Sequence, residues 1–169
     1  MAVVTVKSAA ITNRDATPKV LSLGRVQGDA VQQASGLATI TSGDSATSKY
    51  LLFSLPSNAI VRSLKYSAPD IGTTTAADFG LYRTTADGSA VVDVDFWASA
   101  VAINAGPYNK VEIVNEAGAA GGDITKMEQP IWQQLGLTAD PMLVYDVVAT
   151  LTGAADGTGT LFVEAQYQV

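Results

Sequence analysis

The chain has 169 residues, 47% hydrophobic and 15% charged, which is enough apolar material for one domain with a sizeable core. Its net charge of -6 and pI near 4.4 argue against a nucleic-acid partner, which calls for a basic face against phosphates. Cysteine and histidine are absent, so disulfides, thiolate nucleophiles, Cys/His zinc sites and a Ser-His-Asp triad are excluded. No stretch approaches the roughly 18 apolar residues of a membrane span, and the start of the chain lacks the basic and apolar regions of a secretory leader. The expectation is a soluble protein made in the cytoplasm, with no membrane partner.

Residues 1–36 differ in charge from the rest of the chain. They carry Lys7, Arg14, Lys19 and Arg25 against Asp15 and Asp29, four minus two or +2, while residues 37–169 carry six cations against fourteen carboxylates, or -8. The split predicts an extended arm, 1–36, that docks on something acidic, and a body, 37–169. In the arm, alternation from Val3 to Ser8 fits an extended strand, and Val20-Leu21-Ser22-Leu23 fits a short edge strand. The four cations are the candidate partner contacts there.

In the body, Leu37 to Thr41, Tyr50 to Phe53 and Ile60 to Ser67 read as strands separated by Gly, Ser, Asp, Asn and Pro clusters. Phe79 to Trp97 reads as a hairpin turning at Asp87-Gly88, since glycine accepts positive φ without a Cβ clash. Beyond Trp97 the pattern fits either a helical turn capped by Asp95 or an irregular strand. Lys110 to Val114 is a short strand, and a Gly/Ala loop from Ala117 to Gly122 leads to a short helix near residues 123–136. Asp123 is its N-cap, Ile124, Met127, Ile131 and Leu135 its apolar face, and Gly136 its stop. Pro130 predicts a break into two pieces, because a mid-helix proline lacks the amide hydrogen and clashes with the preceding turn.

Met142 to Leu151 is apolar on both faces, as in a central strand. The loop Gly153 to Gly157 turns it into a last strand, the second arm of a long hairpin, with Leu161, Val163, Ala165, Tyr167 and Val169 inward. Phe162 interrupts the polar outer row and is the fifth candidate contact. Seven to nine short strands with one late helix predict an all-β sandwich, a jelly roll before a closed barrel, with no repeat of fixed period.

The chemistry legible here is sparse. Asp93 and Asp95 share a strand face and have the geometry to share a cation, but no third oxygen ligand stands near in sequence, and turn or cap roles account for both. Gly118 to Gly122 and Gly157 to Gly159 lack the lysine and the strand-to-helix setting of a phosphate loop. No pair among the sixteen acidic residues stands out for glycoside hydrolysis. The expectation is a protein that is not an enzyme and that uses no cofactor or metal. Trp97 and Trp132 are the candidate stacking platforms if the sandwich is instead a carbohydrate-binding module of a virion or secreted protein.

The order of features resembles that of jelly-roll cement, or decoration, proteins of tailed-bacteriophage heads. It runs through Leu55-Pro56-Ser57-Asn58-Ala59, Phe79-Gly80-Leu81-Tyr82, Val92 to Val101, Ile131-Trp132-Gln133-Gln134-Leu135-Gly136-Leu137 and Tyr145-Asp146-Val147-Val148, and covers residues 36–169. The resemblance implies a virion structural protein on the capsid surface, assembled in the host bacterial cytoplasm. Its partners would be the major capsid protein, whose subunits it bridges, and itself as a homotrimer.

Overall fold

The computed structural model describes residues 7–20, 28–114 and 119–169. The chain divides into two compact units, Met1–Val31 and Gln32–Val169.

The larger unit is an all-β sandwich of eight strands: β1 Gln32–Ile40, β2 Lys49–Pro56, β3 Ile60–Ala68, β4 Ala76–Arg83, β5 Val91–Ala102, β6 Tyr108–Glu112, β7 Val144–Leu151 and β8 Gly159–Gln168. They form two four-stranded antiparallel sheets, ordered β1-β8-β3-β6 and β2-β7-β4-β5. The pairs β1–β8, β2–β7, β3–β6 and β4–β5 are those of one long hairpin whose tip is the β4–β5 loop. Rolling that hairpin on itself adds the pairs β3–β8 and β4–β7, which is jelly-roll topology. β1 begins at Gln32, so residues 32–36 are strand and belong to the body's first sheet.

Alternation places Ile40, Leu55, Leu64, Phe79, Leu81, Tyr145, Val147, Leu161 and Val163 between the sheets, each at most 1% exposed. Each such burial contributes roughly 1.5–3 kcal/mol. β7 is flanked by β2 and β4 and is buried on both faces, as its apolar pattern predicts.

Five readings change. First, β7 and β8 are not a hairpin, because the loop between them carries the chain from one sheet to the other. Sequence proximity gives the reversal but not which sheet receives the returning strand.

Second, β8 faces inward at Leu161, Val163, Ala165 and Tyr167, the last packed half-buried against the core, but its end departs from the expected pattern. Gln168, expected to face out, is buried at 6% exposure and accepts from Arg62 Nε at 2.8 Å beside a register shift in β3 between Val61 and Ser63, while Val169, expected to face in, is exposed.

Third, β4 and β5 are antiparallel neighbours, as expected, but Asp87-Gly88 is no two-residue turn. A 3-10 turn, Thr85–Asp87, ends on Gly88 at φ 87°, and Ser89 follows at φ 53°.

Fourth, Asp95 caps nothing, since β5 continues through it as an irregular strand to Ala102. Fifth, the late helix keeps only part of its expected apolar face, although it does break at Pro130 into two pieces as predicted, a 3-10 turn Ile124–Lys126 and a one-turn helix Ile131–Gln134. Asp123 caps the first through Thr125 N, Pro130 is the N-cap of the second, and Gly136 stands at φ 75°. Of the expected apolar face, Ile131 is fully buried and Met127 and Leu135 pack half-buried against the core, while Ile124 is 80% exposed.

The smaller unit holds a helix where a strand was expected to end, α1 Ala9–Asp15. Ser8 nucleates it, accepting from Ile11 N through its side chain, and Thr12 N closes the first turn on Ser8 O. The strand readings at residues 1–6 and 21–23 and the start of the Gly/Ala loop lie outside the described residues.

Candidate functional site

Two surfaces carry the candidate contacts, one in each unit. In the smaller unit, the helix brings together three of the four predicted cations. Lys7 Nζ and Arg14 Nε both bond the Asp15 carboxylate, each at 2.9 Å, and Arg14 and Lys19 line one concavity with Asp15. Arg14 first and Lys7 second hold the Asp15 carboxyl below its ordinary range. These pairs are exposed and add little stability. Their consequence is a preset cationic cluster with one internal counter-charge. Arg25 lies outside the described residues.

In the body, the outer face of the β1-β8-β3-β6 sheet holds Phe162. Because Leu161 and Val163 point inward, Phe162 points outward, between Leu37 of β1 and Ser67 of β3 in the register. It is half-buried because a shallow groove of about 540 Å³ surrounds it, walled by Pro69, Pro107, Tyr108, Asn109 and Thr160. Leu37, 66% exposed, extends the apolar surface across β1. On the next rung, Glu164 stands between Ser35 and Lys65, and Lys110 Nζ bridges to it at 3.1 Å. The groove is thus an apolar stripe beside a charged one. The Tyr108 ring lies 5.3 Å from that of Tyr66. Burial first, and Tyr108 second, push the Tyr66 hydroxyl up to about 12, so it stays protonated and donates to Ala102 O at 3.0 Å. One outward aromatic, Phe162, signals this groove; Leu37, Pro69 and Tyr108 were missed because only strand pairing brings them together.

The acidic pair on β5 is a local arrangement. Asp95 N donates to Asp93 Oδ1 at 3.3 Å, and burial first, then the neighbouring Asp95, push the Asp93 carboxyl up. Among the described residues no group of three or more Asp, Glu, His or Cys is placed to hold a metal. The Asp156 carboxylate accepts from Thr73 N, Thr73 Oγ1, Thr74 N and Thr75 Oγ1, which ties the β7–β8 loop to the β3–β4 loop and holds the carboxyl well below its ordinary range. Trp97 is fully buried and edge-on to Phe96 at 5.0 Å, so it offers no face to a sugar. Trp132 is half-buried on the one-turn helix.

No family model matches the sequence, and no curated protein matches it. Among solved structures, a chain of a cyanophage Pam1 capsid asymmetric unit is similar, with a TM-score of 0.55 and 16% identity over 88% of this chain and 91% of that one. At that identity the likeness is one of fold. It extends over nearly the whole of both chains.

Proposed function

We propose that this protein is a capsid cement protein, which binds the outside of an assembled phage shell as a homotrimer and bridges neighbouring major capsid subunits. The observation that carries the reading is the jelly-roll body, shared at near-full coverage with a chain of a phage capsid asymmetric unit. The residue types agree: a chain without cysteine or histidine is better suited to contact than to catalysis. The contacts would come from the cationic cluster of Lys7, Arg14 and Lys19, joined by Arg25, and from the face around Phe162. The net +2 of the leading segment against the -8 of the body suits an arm reaching an acidic neighbour.

Such a protein works by mass action. It binds the closed lattice and not the dissociated subunits, so it stabilises the shell by RT ln(1 + [L]/Kd), about 2.7 kcal/mol per site at a hundredfold excess over Kd. A specific contact needs roughly 1,000 Å² of buried surface, which a body and an arm acting together supply more readily than either alone. Purified protein should sediment with intact heads at a fixed ratio to shell subunits, and removal of residues 1–31 should weaken that binding. Full-strength binding by the truncated chain would remove the arm from the account.

A further inference from the structure

At the end of the sandwich where β3 and β7 begin, Asp140-Pro141-Met142-Leu143 leads into β7 with a proline followed by a residue at positive φ, 55° at Met142. A position at positive φ is ordinarily given to glycine, because a Cβ is crowded there. Here it holds a methionine that is 89% exposed. A buried serine enforces the conformation. Ser57, 1% exposed, donates from Oγ to Asp140 Oδ1 at 2.5 Å, and the same Oγ accepts from Leu143 N at 3.1 Å. Ser57 N donates to Leu143 O at 2.7 Å, and Met142 N donates to Asp140 Oδ1 at 2.9 Å. Both flanks of Met142 are therefore clamped. Backbone strain fixed by surrounding structure, in order to present an apolar side chain to solvent, points to a contact. Leu137 and Val144, 42% and 44% exposed, lie on either side in the sequence.

The groove around Phe162 is the complementary feature, at the other end of the same body. β3 runs from Ile60, opposite Gln168, to Ser67, opposite Phe162, while β7 starts at Val144, opposite Pro56. Knob and groove are separated by most of the length of β3, about 20 Å at about 3.3 Å per residue. Met142 cannot reach the groove of its own chain. We propose that Met142 of one copy seats in the groove between Tyr108 and Phe162 of a second copy, a head-to-tail contact that closes into a ring. The inference rests on the proposed self-assembly and supplies its interface. The acidic neighbours Asp140 and Asp146 disfavour an anionic lipid surface as the occupant. Beside the groove, Lys110 offers a side chain 61% exposed for Asp140 of the incoming copy to approach.

Because the chain has no cysteine, single cysteines report on this contact directly. Mixed Met142→Cys and Asn109→Cys proteins should form a disulfide-linked pair on mild oxidation, since the bond requires Cα atoms within about 7 Å. In light scattering, Met142→Asp should weaken assembly by at least about tenfold. Met142→Gly should weaken it too while raising Tm by about 2–4 °C, because it relieves the positive-φ backbone and keeps the fold. A monomeric wild-type protein would overturn both the trimer and this contact. An oligomer that survives Met142→Asp and gives no linked pair would overturn the contact alone.

Discussion

The pairs β1–β8 and β4–β5 show two ways of using a strand. β1 and β8 run in unbroken register from Gln32 opposite Tyr167 to Ile40 opposite Gly159. β4 and β5 lose register at three places between Ala77 and Tyr82. Between the partners of Phe79 and Leu81, β5 spans from Ala98 to Asp93, so it carries extra residues that leave the ladder. These include Phe96 and Trp97, both fully buried. The slack has a steric counterpart in Gly80, where a Cβ would lie 2.2 Å from the carbonyl oxygens of Asp93 and Val94. The even pair is a frame with a usable outer face. The broken pair gives up ladder bonds to drive two aromatic rings into the core.

Substitutions can break this contrast. The largest effect is expected for Gly80→Val, where backbone blocks the new side chain: we expect a loss above about 4 kcal/mol, read as failure to fold in circular dichroism. Trp97→Ala should cost about 3–5 kcal/mol in urea unfolding. Trp97→Phe should cost much less, because Trp97 Nε1 is buried with no hydrogen-bond partner among the described residues.

The acidic groups give opposite pH signs. Asp156 has a depressed folded pKa, so its contribution is present above the ordinary carboxylate range and is lost as pH falls through the folded value. Asp156→Ala should therefore lower Tm at neutral pH, and the gap to wild type should close in acid. Asp93 has a raised folded pKa, so stability falls as pH rises through that value. Asp93→Asn should raise Tm modestly at neutral pH, with no gain below the ordinary carboxylate range. The smallest effect belongs to the outer face of the even sheet: Lys110→Ala, which removes an exposed pair with Glu164, should change stability by less than about 1 kcal/mol.

The same contrast explains what was legible in the sequence. β1, β3, β7 and β8 were readable because alternation reports directly which face is buried, as with Leu161 and Val163 against Phe162. β5 was ambiguous because its extra residues put Phe96 and Trp97 side by side in the core, and no simple period does that. The burial of Gln168 was hidden for a related reason: its partner Arg62 lies in β3, a strand distant in sequence. Loops that meet only after folding were equally invisible, so nothing near Asp156 announced Thr73 or Thr75. Of the contact surfaces, the cations and Phe162 stood out by type. The α1 helix that gathers Lys7, Arg14 and Lys19 did not, because seven residues carry too little periodicity.

The central claim is that this jelly roll cements a shell. Its most direct test is sedimentation of the purified protein with intact phage heads and, separately, with dissociated shell subunits, together with the melting temperature of the decorated heads. The account predicts saturable binding to heads at a fixed ratio, weak binding to free subunits and a raised melting temperature. Equal binding to both forms, or saturation with no gain in head stability, would contradict it.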